Sequence, residues 1–183
     1  MLHVPRPPDN TRPDSMVFQA LAGRLSASMS DLKLIALDAE DLNVVSAHLQ
    51  DAVLRVGEMT YLPAEKRFVA IANRFDWGEL AKAPSKGKAS ESFERRRSGI
   101  RFERVLSAKL QGIDLKDRRA ALALLAITFE PTGGTETPEG DVTLTFSGAA
   151  AIRLHVECVE VELKDLGAAW ATKHSPEHPD DAG

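Results

Sequence analysis

Two hydrophobic periods divide this chain. Leu42, Val45, Leu49, Ala52 and Val53 recur at three- and four-residue spacing, which places them on one side of a helix and predicts an amphipathic helix over about Ala39–Val53. Asp38 stands at its N-cap, Glu40 and Asp41 occupy the first turn where they complement the helix dipole, and Gly57 is expected to mark the exit. A short strand, Leu32–Leu37, precedes it. From Met59 the period changes to two. Met59–Leu62 and Arg67–Trp77 flank Pro63–Lys66, a four-residue connection suited to a β-hairpin. Gly99–Gly112, Ala120–Glu130, Asp141–Phe146 and Ala150–Leu163 read as further strands, with Ser147 and Gly148 turning between the last two. Asp165–Ala171 reads as a short closing helix.

Strands joined by short turns favour antiparallel pairing, because parallel neighbours need crossovers of a dozen or more residues. The expected fold class is therefore α+β and mostly β: an antiparallel meander forming a small barrel or strongly curved sheet, with one N-terminal amphipathic helix, over residues 31–171. Gly78–Ser98 is rich in Lys, Ser, Ala and Gly, has no period, and reads as a mobile basic surface loop. Residues 1–30, broken by Pro5, Pro7, Pro8 and Pro13, read either as a disordered extension or as an over-long translated start with Met29 as the true beginning. Residues 172–183 read as a loose tail.

Composition narrows the class. At 183 residues, 43% hydrophobic and 27% charged, the chain can bury a core without disulfides or a structural metal, as an ordinary soluble domain does. Cys158 is the only cysteine, and the His and Cys residues have no zinc-type spacing, so a reducing cytoplasm is expected and neither a metal nor a cofactor is. No stretch approaches the roughly 20 consecutive apolar residues of a membrane helix. Charge is uneven within a net −4. Eight Lys or Arg stand against three Glu in Lys82–Arg104, and eleven acidic residues against three basic ones from Glu130 onward. The basic block could attract an anion, whereas the acidic half argues against a nucleic-acid partner.

Strand parity locates candidate chemistry. Arg104 falls on the face of Ile100, Phe102 and Leu106, where an inward guanidinium needs a carboxylate or a bound anion. Asn73 shares a face with Val69, Ile71 and Phe75, and Arg74 shares the other with Phe68, Ala70 and Ala72, so both are expected to meet specific partners, with Asp76 close by. The apolar face of Ala150–Leu163 slips phase at Cys158-Val159, which a β-bulge would explain. Glu157 flanks that slip. Cys158 itself reads as a small buried hydrophobe, and His155 as one member of a solvated cross-strand pair. Arg95, Arg96 and Arg97 could grip an anion, but no aromatic residues are interleaved with them. Gly133-Gly134 lacks the Lys-Ser/Thr of a phosphate loop.

Taken together, Asp31–Leu42, His48–Val53, Asn73-Arg-Phe-Asp-Trp77, Glu94-Arg-Arg-Arg97 and Glu157-Cys-Val-Glu160 resemble a bacterial family of uncharacterised proteins, domain of unknown function family 2948. The likeness covers about residues 29–180. It implies a bacterial cytoplasmic protein and supplies no activity, cofactor or catalytic residue.

Three functional readings follow. The first is a non-catalytic binding or adaptor domain with a protein or small-molecule partner, acting through a barrel rim or the basic loop. The second is a small enzyme whose site gathers Asn73, Arg74, Asp76, Arg104 and Glu157, which requires those side chains to converge. The third is an anion or nucleic-acid binder using residues 82–104. Period alone does not reveal an oligomeric state.

Overall fold

The computed structural model describes residues 32–75, 93–134, 137–167 and 170–172. The expectations for residues 1–30, for Asp76 and Trp77, for 78–92 of the basic segment and for the tail beyond Thr172 lie outside the described residues.

Asp38 caps the first turn of α1 (Ala39–Leu49): it is extended, and its Oδ1 accepts from the Asp41 amide at 2.8 Å. Leu42, Val45 and Leu49 are the buried positions. The helix stops at Leu49, four residues earlier than the apolar spacing predicts. Gln50 leaves helical geometry at ψ 134°, and Asp51 is left-handed at φ 61°. The Asp51 amide then donates to the Leu124 carbonyl, and the Leu124 amide to the Ala52 carbonyl, both at 2.9 Å. Ala52 and Leu54 enter the same core as the helix does, so the three-and-four spacing runs on across a change of element.

Val53 opens β2 (Val53–Leu62), which pairs with β3 (Arg67–Phe75) around a 3-10 turn at Pro63–Glu65 closed by left-handed Lys66. Gly57 lies inside β2, not at the helix exit. It sits where the β2–β3 register is interrupted, and its amide donates to the Arg118 carbonyl at 2.9 Å. A Cβ there would stand 2.8 Å from that oxygen, so the glycine permits a close backbone approach.

The expected strand Gly99–Gly112 is two strands, β4 (Phe93–Phe102) and β5 (Val105–Gln111). Arg104 takes φ 60° between them, which reverses parity so that Val105 turns inward. After β6 (Ala121–Pro131) and β7 (Gly140–Phe146), Ala150–Leu163 likewise divides, into β8 (Ala151–Val156) and β9 (Val161–Asp165). The phase slip at Cys158-Val159 is therefore a strand exchange, not a bulge: β8 pairs with β7 and β5, whereas β9 pairs with β4 and β1 (Lys33–Ala36). Asp165 ends a strand and does not begin a helix, and Trp170–Thr172 forms β10 on β4.

All these pairings are antiparallel. The order is β1-β9-β4-β3-β2-β6-β7-β8-β5, with β10 added alongside β4. The two meanders β2-β3-β4 and β6-β7-β8 meet where β2 pairs with β6, and the path ends at β1 and β5 without closing into a barrel. One core joins the two halves: Phe68, Ile100, Phe102 and Leu163 pack with Leu124, Leu144, Phe146, Ile152 and the helix residues. The Ile127 amide donates to Ser46 Oγ at 2.9 Å, tying α1 to β6. Among the described residues no helix is long and apolar enough to cross a membrane.

Candidate functional site

The inward face of β3, β4 and β9 changes from apolar to polar at one end. On β3, Phe68, Ala70 and Ala72 give way to Arg74; on β9, Val161 and Leu163 give way to Asp165; and on β4, Phe102 and Ile100 give way to Ser98 and Arg96. All four polar residues are buried. Arg74 Nη2 donates to both Asp165 oxygens at 2.9 and 2.8 Å, and Nε donates to Oδ1 at 3.1 Å. Ser98 Oγ donates to the same oxygen at 2.6 Å, and the Leu32 amide reaches Oδ2 at 3.1 Å. Burial pushes the Asp165 carboxyl up, but the hydrogen bonds from Arg74, Ser98 and the Leu32 amide outweigh it and hold the pKa below its ordinary value. Arg96 Nε stands 4.0 Å from Asp165 Oδ2.

The residues expected to form one catalytic site do not converge. Arg104 does not point inward: it is exposed at the β4–β5 corner, with Nε 3.3 Å from Glu160. Glu157 accepts from Lys66 at the same corner, and that hydrogen bond outweighs partial burial to lower its pKa. Arg74 pairs with Arg96 near the other end of β4. Phe102 stands six positions along from Arg96, roughly 20 Å of strand. Asn73 is half-buried on the opposite face from Arg74, and its carbonyl accepts from Arg95 at 3.3 Å.

The triple arginine is not a loop end but part of β4, so successive side chains alternate between faces. Arg95 lies over the Phe75 ring at 3.9 Å, Arg96 is buried beside Asp165, and exposed Arg97 meets Glu58 at 2.7 Å. Desolvation lowers the Arg95 pKa, and Asp51 opposes it. These three side chains cannot close on one anion.

Among the described residues, two of the concavities lie on outer faces. The first, about 270 Å³, is an apolar trough of Val69, Ile71, Gly99 and Leu166. Its flanks carry ion pairs, Arg101 with Glu162 and Arg97 with Glu58 at 2.7 Å. The second, about 260 Å³, is polar and is lined by Ser107, Lys109, Thr132, Asp141, Arg153 and His155. Strand register builds it: Ser107 lies opposite His155 and His155 opposite Asp141, while Lys109 lies opposite Arg153 and Arg153 opposite Thr143.

His155 Nδ1 is 2.9 Å from Asp141 and Nε2 is 2.9 Å from Glu139. The hydrogen bond to Asp141 leads in raising its pKa, against some desolvation. Carboxylates on both nitrogens favour the protonated ring, which donates from both. Lys109 and Arg153 have no ion pair with any described residue, although like charges opposite one another across strands repel. Among the described residues no group of His, Cys, Asp and Glu is arranged to hold a metal ion.

A family model described as "protein of unknown function (DUF2948)" matches residues 32–178. The chain belongs to that family. Neither a curated protein nor a solved structure matches it.

In this DUF2948 protein, sequence parity misses Asp165 and Ser98 because the assumed element boundaries hide them. Extending Val161 and Leu163 by two positions gives Asp165, and reading back from Phe102 and Ile100 gives Ser98. The polar cavity is missed because its residues lie on three strands whose register no local pattern reveals. Chemically, the cavity offers two cations, two hydroxyls and the Asp141 carboxylate bound to His155. Ser107 lies beside His155, but both ring nitrogens are occupied by carboxylates, so His155 is not placed to act as its base.

Proposed function

We propose that this protein is a non-catalytic binding domain of the bacterial cytoplasm, built on a strongly curved open sheet, that takes a small-molecule ligand in the polar cavity on the outer face of β5, β8 and β7. The observation that carries this reading is the direct opposition of Lys109 and Arg153 at the wall of that cavity, with no acidic partner among the described residues. Two cations held together in a concave site gain stability when a complementary group occupies it. The volume of about 260 Å³ falls just under the roughly 300–1,000 Å³ of pockets for drug-sized ligands and suits a small metabolite. The site lies beside the β6–β7 connection, at the rim of the sheet.

Two further features support binding over catalysis. Arg74, Ser98 and Asp165 close on one another, and Arg104 and Glu157 lie in surface ion pairs well away from them. The cytoplasmic assignment rests on the single cysteine of the sequence, which rules out an internal disulfide framework.

The test is a thermal-shift screen of the full chain against small-molecule classes at two salt concentrations. A dose-dependent rise in Tm for one class, reduced in Arg153→Gln, supports the reading. A folded protein whose Tm responds to no class, or equally in the variant, contradicts it.

A further inference from the structure

We infer that the ligand of this cavity carries a tetrahedral oxyanion, a phosphate or phosphomonoester group held between Lys109 and Arg153. This inference rests on the binding reading above and specifies its chemistry. Two of the lining side chains, Lys109 and Arg153, carry donors only, while both ring nitrogens of His155 are taken by Asp141 and Glu139. Ser107 and Thr132 add hydroxyls that can donate. The carboxylate in the lining, Asp141, is already engaged by His155 Nδ1, and among the described residues the lysine and arginine have no acidic partner.

The pairing of residue types suits a phosphate. Arginine presents a rigid fork of donors and lysine a compact point charge on a flexible stem, a pairing suited to an anion with acceptor oxygens in several directions. The two cations come from adjacent strands and sit opposite one another, with the Ser107 hydroxyl two residues along β5. Donors thus lie at two levels of the sheet, an arrangement that suits a tetrahedral group. A cavity of about 260 Å³ also leaves room for an organic remainder beyond the phosphate.

The cation pair further predicts a salt response. Binding of a dianion between Lys109 and Arg153 weakens as ionic strength rises, because the exposed charges are screened. Chloride at equal ionic strength should not substitute for it.

The experiment is isothermal titration calorimetry of the full chain with inorganic phosphate, glycerol 3-phosphate and succinate, each against sodium chloride of matched ionic strength. Lys109→Gln and Arg153→Gln are the test variants, both at exposed positions, and Lys164→Gln on the other half of the sheet is the control. Circular dichroism establishes that each variant is folded. The expected result is saturable heat with phosphate, glycerol 3-phosphate or both, weakened roughly tenfold or more in each test variant and unchanged in the control. Tighter binding of glycerol 3-phosphate identifies a phosphomonoester as the source, and equal binding identifies the free anion. Equal affinity in Arg153→Gln and the unchanged protein overturns the inference, as does a response to succinate or chloride matching that to phosphate. If phosphate is inert while an uncharged compound from the screen depends on Arg153, the inference fails and the binding reading survives. If neither phosphate nor any compound binds, both fail.

Discussion

The guanidinium of Arg74 on β3 crosses the width of β4 to reach Asp165 on β9, passing over the small side chain of Ser98. Nη2 meets both carboxylate oxygens at 2.9 and 2.8 Å, and Nε is 3.1 Å from Ser98 Oγ. Two strand spacings amount to roughly 10 Å, a span that arginine covers and that a bulky residue at position 98 would obstruct.

Removing one partner of this pair should cost far more than replacing both. Asp165→Ala leaves a buried guanidinium without its carboxylate and should lower unfolding free energy by about 3–5 kcal/mol. The double variant Arg74→Met, Asp165→Leu should recover most of that loss, since a well-packed apolar pair avoids the desolvation of two ions. Urea denaturation of the three proteins checks both, and a loss in Asp165→Ala no larger than that of a surface substitution would contradict the account.

The same carboxylate should titrate below the ordinary aspartate value. A depressed folded pKa means that its stabilising contribution is complete above the unfolded value of about 3.9 and is lost as pH falls through the folded value. Carbon-13 NMR of the Asp165 carboxyl should place its midpoint below about 3.9. A midpoint above that value would mean that burial outweighs Arg74 and Ser98.

His155 should behave in the opposite sense. It faces Asp141 on β7, Glu139 just before that strand and Ser107 on β5, with Lys109 and Arg153 at the next level. With its folded pKa raised, the stability it contributes is fully present below the unfolded value of about 6.5 and is lost as pH rises through the folded value. The imidazole NMR midpoint should lie above about 6.5 and fall in Asp141→Asn. An unchanged midpoint in that variant would remove Asp141 as the main cause.

Gly57→Ala separates the helix-exit expectation from the strand position. An added methyl would stand 2.8 Å from the Arg118 carbonyl oxygen, a backbone atom that cannot rotate away. The expected loss is about 1–3 kcal/mol in denaturant unfolding. Past the end of a helix at a conformation alanine can adopt, the same change would be neutral or stabilising.

Legibility tracked locality. Asp38 as a cap, the α1 face and the Pro63–Lys66 turn are set by residues within a few positions, and the sequence reveals them. The breaks at Arg104 and at Cys158-Val159 are set by which sheet edge the chain must join next, so two continuous apolar runs each concealed two strands. Parity carried through Arg104 then placed it inward, when its left-handed backbone turns it out. Arg74 was legible as a polar residue on a core face because β3 is unbroken there. Its partner was hidden behind an expected helix, and Lys109, Arg153 and His155 meet only through long-range register.

The most direct test of the central claim is an amide chemical-shift map of the full chain titrated with glycerol 3-phosphate at constant ionic strength. The account predicts saturable shifts centred on Ser107, Lys109, Asp141, Arg153 and His155, lost in Arg153→Gln. Shifts centred instead on the Val69, Ile71 and Gly99 trough, or none that saturate, would contradict it.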